Sequence, residues 1–286
     1  MLRTIAHRSS AAARVLDDRD HGEVLALCER DPAANVFVSS RVRAAGLDQG
    51  AFGAQIWGYY AGRELQSVCY AGANLVPVAA TPAATRAFAE RARRQGRRCS
   101  SLVGPAEAVK DLWELLQPYW GPARAVRAAQ PLMSIASPPR VPPDPAVRQV
   151  RPEEVGVLLP ACVAMFTEEV GVSPVSGDGG ALYRARVGEL ISSGRAFARI
   201  ENGQVIFKAE IGAVTPRACQ VQGVWVDPRF RGQGRAAPGM AAVVAMAQRT
   251  FAPLVTLYVN DFNLPARAAY QRAGFAEVGT FMSVLF

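Results

Sequence analysis

The run Val221-Gln-Gly-Val-Trp-Val-Asp-Pro-Arg-Phe-Arg-Gly-Gln-Gly-Arg-Ala-Ala237 drives an apolar stretch into a helical one through a tight glycine turn. Val221 to Val226 is rich in β-branched and aromatic residues and predicts a strand. Asp227-Pro228 ends it, because proline cannot continue a ladder and restricts the residue before it. Gly232 and Gly234 then turn the chain into a helical run over residues 236–250. The first N–H groups of a helix have no partners within it, and the positive end of the helix dipole lies there. Glycine-bared amides at that place form a phosphate cradle. The same glycines satisfy a dinucleotide fingerprint, Gly232-x-Gly234-x-x-Ala237, with Asp261 after the next strand. In that fold the turn follows its strand directly, whereas residues 227–230 intervene here. Too little chain also remains after Ala237 for the rest of a doubly wound sheet.

Beyond the helix, Leu254 to Val259 reads as the next strand, followed by Asn263-x-x-Ala266-x-x-x-Tyr270-x-x-x-Gly274-Phe275. Arg231-x-x-Gly234-x-Ala236 resembles the acyl-CoA signature of the GNAT acetyltransferases, and the Asn263–Phe275 frame resembles their second signature. The two stand in the family's order, with a helix and a strand between them. Over its full length the chain also resembles the actinobacterial-type proteins in which an uncharacterised domain precedes a GNAT domain.

That resemblance implies an acyl-CoA-dependent N-acyltransferase, with acetyl-CoA as cosubstrate and an unidentified amine as acceptor; the alternative is a non-catalytic acyl-CoA sensor. By the same resemblance, backbone groups of Val224, Trp225 and Val226 would pair with the pantetheine arm as another strand would. Gly223 is the natural place for a bulge in their strand. The amides of Gly232, Gln233, Gly234, Arg235, Ala236 and Ala237 would hold the pyrophosphate, with charge added by Arg231 and Arg235. Asn263 would bond the pantetheine arm; read from the residues, it also caps the helix starting at Pro265. Tyr270 corresponds to the family's proton donor: a phenol of reference pKa ~10 is protonated at neutral pH. Glu210 could serve as base, directly or through water. Glu168 and Glu169, on a helix that borders the acceptor site in this family, would bind a cationic amine.

The earlier part of the chain gives a parallel order of elements. Arg14 to Leu16 reads as a strand, and the 17–20 acids cap a helix over 21–29. A second helix follows over 35–45, then strands over 55–60 and 65–76. Thr81-Pro82 opens a helix to Gln95, with threonine as cap and proline in the first turn. A strand over 100–103, an amphipathic helix over 105–120 and a strand over 125–136 complete this half. Where a glycine cradle would lie, the chain has Ala79-Ala80-Thr81-Pro82. The expectation is therefore a mixed α/β (α+β) chain of tandem GNAT-like domains, each a mostly antiparallel mixed sheet flanked by helices. Residues 1–136 would form a degenerate domain and 137–146 a proline-rich, semi-rigid linker. Residues 147–286 would form the catalytic domain, closing on a last pair of strands.

Composition sets outer limits. The length of 286 residues suits two domains. A net charge of +8 favours anionic partners. Apart from Lys110 and Lys208, every basic side chain is arginine. The arginines at 91, 93, 94, 97 and 98 sit at a helix C-terminus, where cations offset the dipole, and lack the interleaved aromatics of a base-stacking surface. No nucleic acid partner is expected. Five scattered cysteines suggest reduced thiols in the cytoplasm. The only histidines, His7 and His21, lie near the N-terminus, so no metal site is expected. Residues 65–85 are uncharged but broken by prolines and polar residues, which argues against a membrane span. Met1 to Ala13 lacks the apolar run of a signal peptide and reads as a frayed tail. Nothing in the sequence fixes an oligomeric state.

Overall fold

The computed structural model describes residues 12–48, 53–175 and 180–286, so all of the expected tail except Ala12 and Ala13 lies outside the described residues. By contact the chain forms two compact units. One comprises residues up to Gln130 together with Thr280–Phe286, and the other comprises Pro131–Gly279. The sequence reading put the junction at the prolines after Ala136; the units divide earlier, within a strand.

In the first unit the strands are β1 (Arg14–Val15), β2 (Gln55–Ala61), β3 (Glu64–Ala71), β4 (Asn74–Val78) and β5 (Ser101–Pro105), with helices α1 (His21–Cys28), α2 (Pro32–Ala45), α3 (Pro82–Gln95) and α4 (Ala106–Trp120). The single strand expected over 65–76 is two strands, β3 and β4, reversed at Gly72-Ala73 and paired antiparallel from Val68↔Val78 to Ala71↔Leu75. Helix α2 begins earlier than expected because Asp31 accepts from the Ala34 amide and Pro32 occupies the first turn. Helix α3 starts at Pro82 under the expected cap, Thr81 Oγ1 accepting from the Ala84 amide at 3.2 Å. The sheet runs β1-β2-β3-β4-β5 and is completed by residues 281–285 of the last strand, antiparallel to β5. Phe88, Leu102, Leu112 and Leu116 are fully buried in its core with Val284.

The second unit is a mixed, mostly antiparallel sheet. In chain order after β6 (Ala125–Ile135), its strands are β7 (Val147–Gln149), β8 (Ala196–Glu201), β9 (Gln204–Val214), β10 (Ala218–Val226) and β11 (Leu254–Tyr258). Its helices are α5 (Val155–Val170), α6 (Ala181–Ser192), α7 (Ala236–Thr250) and α8 (Leu264–Ala273). The spatial order is β6-β11-β10-β9-β8-β7. Strand period 2 separates two cores. Phe197, Phe207, Ala209 and Ile211 pack with Met240, Val243 and Val244 of α7, whereas Ala196 and Ala198 pack with Leu158 and Cys162 of α5. The expected closing pair of strands is one strand, β12 (Ala276–Leu285).

The proline-rich segment is pinned to this second unit. The Arg140 amide donates to the Ala273 carbonyl and the Asp144 amide to that of Pro238, while the Asp144 carboxylate pairs with Arg199 at 2.7 Å. Among the described residues no helix is long and apolar enough to cross a membrane.

Candidate functional site

Strands β10 and β11 run parallel and pair only from Ala218↔Leu254 to Gln220↔Thr256. Beyond that point β10 continues to Val226 and β11 to Tyr258. The two strands part, and an extended polar chain can take the place of the missing ladder. Thr256, at the last pair, is fully buried and its hydroxyl has no hydrogen-bond partner among the described residues.

On its other side β10 pairs with β9, and here the expected bulge is found. Gln222 faces Glu210 and Trp225 faces Lys208, so Gly223 and Val224 together oppose Ala209. Gly223 has φ +59°, and a Cβ there would lie 3.0 Å from Glu210 Cδ and 3.1 Å from Lys208 Nζ. Both the backbone and the space demand glycine. Alternation puts Lys208 and Glu210 opposite the Phe207, Ala209 and Ile211 face. Lys208 is 1% exposed and Glu210 9%. Lys208 Nζ donates to Glu210 Oε2 at 3.2 Å, and Gln222 Nε2 donates to Glu210 Oε1 at 3.0 Å. Burial is the largest single influence and would lower the Lys208 ammonium, but the Glu210 carboxylate and the Cys162 thiol together hold its pKa above the ordinary value. The ion pair is the part of this site that strand pattern alone did not yield. Its signal in the sequence was a rare lysine inside an apolar strand, two residues before a glutamate.

After β10, Asp227 accepts from the Arg229 amide, closing a short 3-10 turn over Pro228–Phe230. Gly232 and Gly234 follow at φ +75° and +73°, with open space where a Cβ would stand. They are glycines for backbone reasons, and their faces are clear for a close approach. No side chain caps α7, and the Arg235 Nε is buried without a partner among the described residues. An uncapped helix start, open glycine faces and an orphaned guanidinium donor fit a pyrophosphate. In the first unit the corresponding helix start is closed by Thr81.

Arg231 reaches back from this turn. Its Nε donates to the Val226 carbonyl at 2.9 Å and its Nη2 to Glu168 Oε2 at 2.7 Å. Glu168 Oε1 also accepts from the Trp225 indole at 3.2 Å. Glu168 therefore joins α5 to β10 and to the glycine turn, a partnership that residue spacing did not reveal.

At the far strand, Asn263 Oδ1 accepts from the Ala266 amide at 3.3 Å and caps α8, as the residues alone suggested. Tyr270 lies one turn and more along that helix, 6% exposed, its ring 6.0 Å from that of Phe275. Burial, with the Glu169 carboxylate adding to it, raises the phenol well above its usual range. The structure thus brings Glu169 into electrostatic reach of Tyr270.

Comparison with known proteins agrees with this geometry. Residues 178–275 match the acetyltransferase (GNAT) family model, and residues 54–158 match a domain of unknown function, DUF4081. The fold is shared with an acetyltransferase of the GNAT family from Colwellia psychrerythraea, at 15% identity and TM-score 0.54, covering 96% of this chain and 99% of that one. A tandem GNAT protein from the clavulanic acid biosynthesis pathway is similar at 15% identity and TM-score 0.53, covering 96% and 98%. A Drosophila protein reaches TM-score 0.65 at 13% identity, covering 96% and 99%. At such identities these likenesses show the fold. No curated protein matches the chain in sequence. The parted parallel strands and the glycine-turned helix start lie within the residues that match the GNAT family model. The chain carries a GNAT domain over residues 178–275, preceded by a DUF4081 domain.

Proposed function

We propose that the second unit binds an acyl-CoA, with acetyl-CoA as the expected cosubstrate, and transfers the acyl group directly to an amine. The observation that carries this reading is the conjunction of two features on one strand. β10 parts from β11 after Gln220, and the same strand leads into a glycine-turned, uncapped helix start. Backbone groups of Val224, Trp225 and Val226 would hold the pantetheine arm at the parted edge. The amides of residues 232–237 would hold the pyrophosphate, helped by Arg231 and Arg235. Bound there, acyl-CoA supplies the thioester on which the amine acts.

The chain's own groups then have separable tasks. A backbone N–H near Val226 would polarise the carbonyl. Tyr270, kept protonated by its surroundings, would deliver a proton to the departing thiolate. Glu210, fixed in orientation by Lys208 and Gln222, would take the amine's proton directly or through water. Glu168 and Glu169 would present negative charge to an ammonium-bearing acceptor. The five cysteines are all buried and free, the state a reducing compartment maintains, which supports a cytoplasmic place of work.

The experiment is thiol release from acetyl-CoA in the presence of small amines, aminoglycosides, peptides and lysine-bearing proteins. Release that depends on one acceptor class is expected. Tight CoA binding with no release for any amine would favour a non-catalytic sensor.

A further inference from the structure

The first unit holds a cavity of about 400 Å³, inside the roughly 300–1,000 Å³ range of small-molecule sites. It lies where the start of β2, the β3–β4 turn and the C-terminal end of α3 come together, at the opposite end of α3 from Thr81. Trp57, Leu75, Ala92 and Trp120 supply apolar wall. Gln55, Gln95 and Arg98 supply the polar part.

Hydrogen-bond accounting shows what this cavity lacks. Gln55 Oε1 accepts from Trp57 Nε1 at 2.9 Å and from Gln95 Nε2 at 3.2 Å. The Trp120 Nε1 is buried and has no partner among the described residues. With almost no accessible surface of its own, that N–H is out of a ligand's reach, and the polar recognition in the cavity falls to its other groups. The arginine cluster at the end of α3 resolves in the same way. Arg91 donates to the Ala13 carbonyl and lies over Trp57; Arg93 bonds the Tyr119 hydroxyl; Arg94 pairs with Glu90; Arg97 lies over Phe286. Arg98, which lines the cavity, has neither an ion pair nor a hydrogen bond among the described residues. The Cys99 thiol in the wall is pushed up by burial and stays protonated, so the cavity is built for binding and not for covalent chemistry.

We propose that this cavity binds a small aromatic carboxylate. The ring would pack on the indole walls, and the carboxylate would take the Arg98 guanidinium. Tryptophan surfaces favour a flat aromatic body. The planar guanidinium fork matches a carboxylate, and Arg98 has no acceptor of its own among the described residues. This assignment is independent of the acyl-CoA reading.

The test is calorimetry on the full chain with 2-naphthoate and its neutral isostere 2-naphthamide. One equivalent of naphthoate should bind, at least about tenfold tighter than the amide. Arg98→Gln should weaken naphthoate by about tenfold or more. Arg98 is exposed, so its substitution leaves the core intact and the test stays decisive. Saturating CoA should leave naphthoate affinity unchanged. The proposal falls if naphthoate gives no saturable heat, if the amide binds equally well, or if folded Arg98→Gln retains full affinity. Competition with CoA would put the acid in the second unit and overturn it as well.

Discussion

Tyr270 carries the sharpest single-residue expectation. Its side chain packs among α7 and α8 residues of the core, and both burial and Glu169 hold the phenol protonated. Tyr270→Phe removes only the oxygen, so CoA affinity should persist. General acid catalysis contributes ~10²–10⁴-fold, and kcat should fall by that order. Because the phenol's pKa is raised, the sign is clear: alkaline loss of activity from this group begins only above the usual tyrosine range. Any such limb in the pH profile should be missing from the variant. Unchanged kcat under chemistry-limited conditions would leave Tyr270 as a packing residue. Gly223 makes a second residue-scale case. Alanine at φ +59° costs about 1–2 kcal/mol in backbone strain alone, and its Cβ would press on Glu210 and Lys208. Gly223→Ala should therefore lower the melting temperature and also weaken CoA, since the bulge aims the Val224–Val226 edge. A variant with wild-type melting and wild-type CoA affinity would contradict that role.

At the scale of elements, β9 carries a buried ion pair whose removal by halves should be costly. Glu210→Gln leaves the Lys208 ammonium without its carboxylate, and losing one partner of a buried pair costs about 3–5 kcal/mol. The double variant Lys208→Met with Glu210→Gln should recover most of that stability in urea unfolding. Loss of activity in the double variant would then report the Glu210 carboxylate itself and not a collapsed strand. A Glu210→Gln variant as stable as the wild type would show that breaking the pair costs nothing.

Much of this element structure was legible in the sequence. Thr81-Pro82 predicted the start of α3, and the Gly232–Gly234 turn the start of α7. Each is a local signal of cap, proline or glycine chemistry. The break between β3 and β4 was missed because Gly72-Ala73 is a short reversal inside a continuous apolar run. The closing strand was over-divided: the expected last pair of strands is the single strand β12. In the site, glycines and signature positions were readable because they answer to backbone geometry. The Lys208–Glu210, Gln222–Glu210 and Glu168–Arg231 contacts were not, because they join side chains whose proximity only the folded sheet decides.

For the whole molecule, the division into units explains what sequence order could not. The last seven residues belong with the first unit because β12 pairs with β5 from Phe281↔Pro105 to Leu285↔Ser101. Residues 131–135 belong with the second because β6 pairs with β11. Such exchange depends on strand partners far apart in sequence, which no local pattern encodes. One consequence is testable: removing Thr280–Phe286 strips an inner partner from β5 and should destabilise the first unit, seen as early loss of Trp57, Trp113 and Trp120 fluorescence. An unchanged melting transition in that truncation would contradict the pairing.

The central claim is that one acyl-CoA site exists, at the glycine turn before α7. Calorimetric titration of CoA into the full chain, its Gly234→Ala variant and its Gly234→Glu variant tests it directly. Both substitutions carry the same positive-φ strain of about 1–2 kcal/mol, and both side chains meet open space, so the comparison isolates charge and bulk against the pyrophosphate. The account predicts one equivalent of CoA per chain, weakened modestly by alanine and abolished by glutamate in a folded protein. Two equivalents, or undiminished affinity in folded Gly234→Glu, would contradict it.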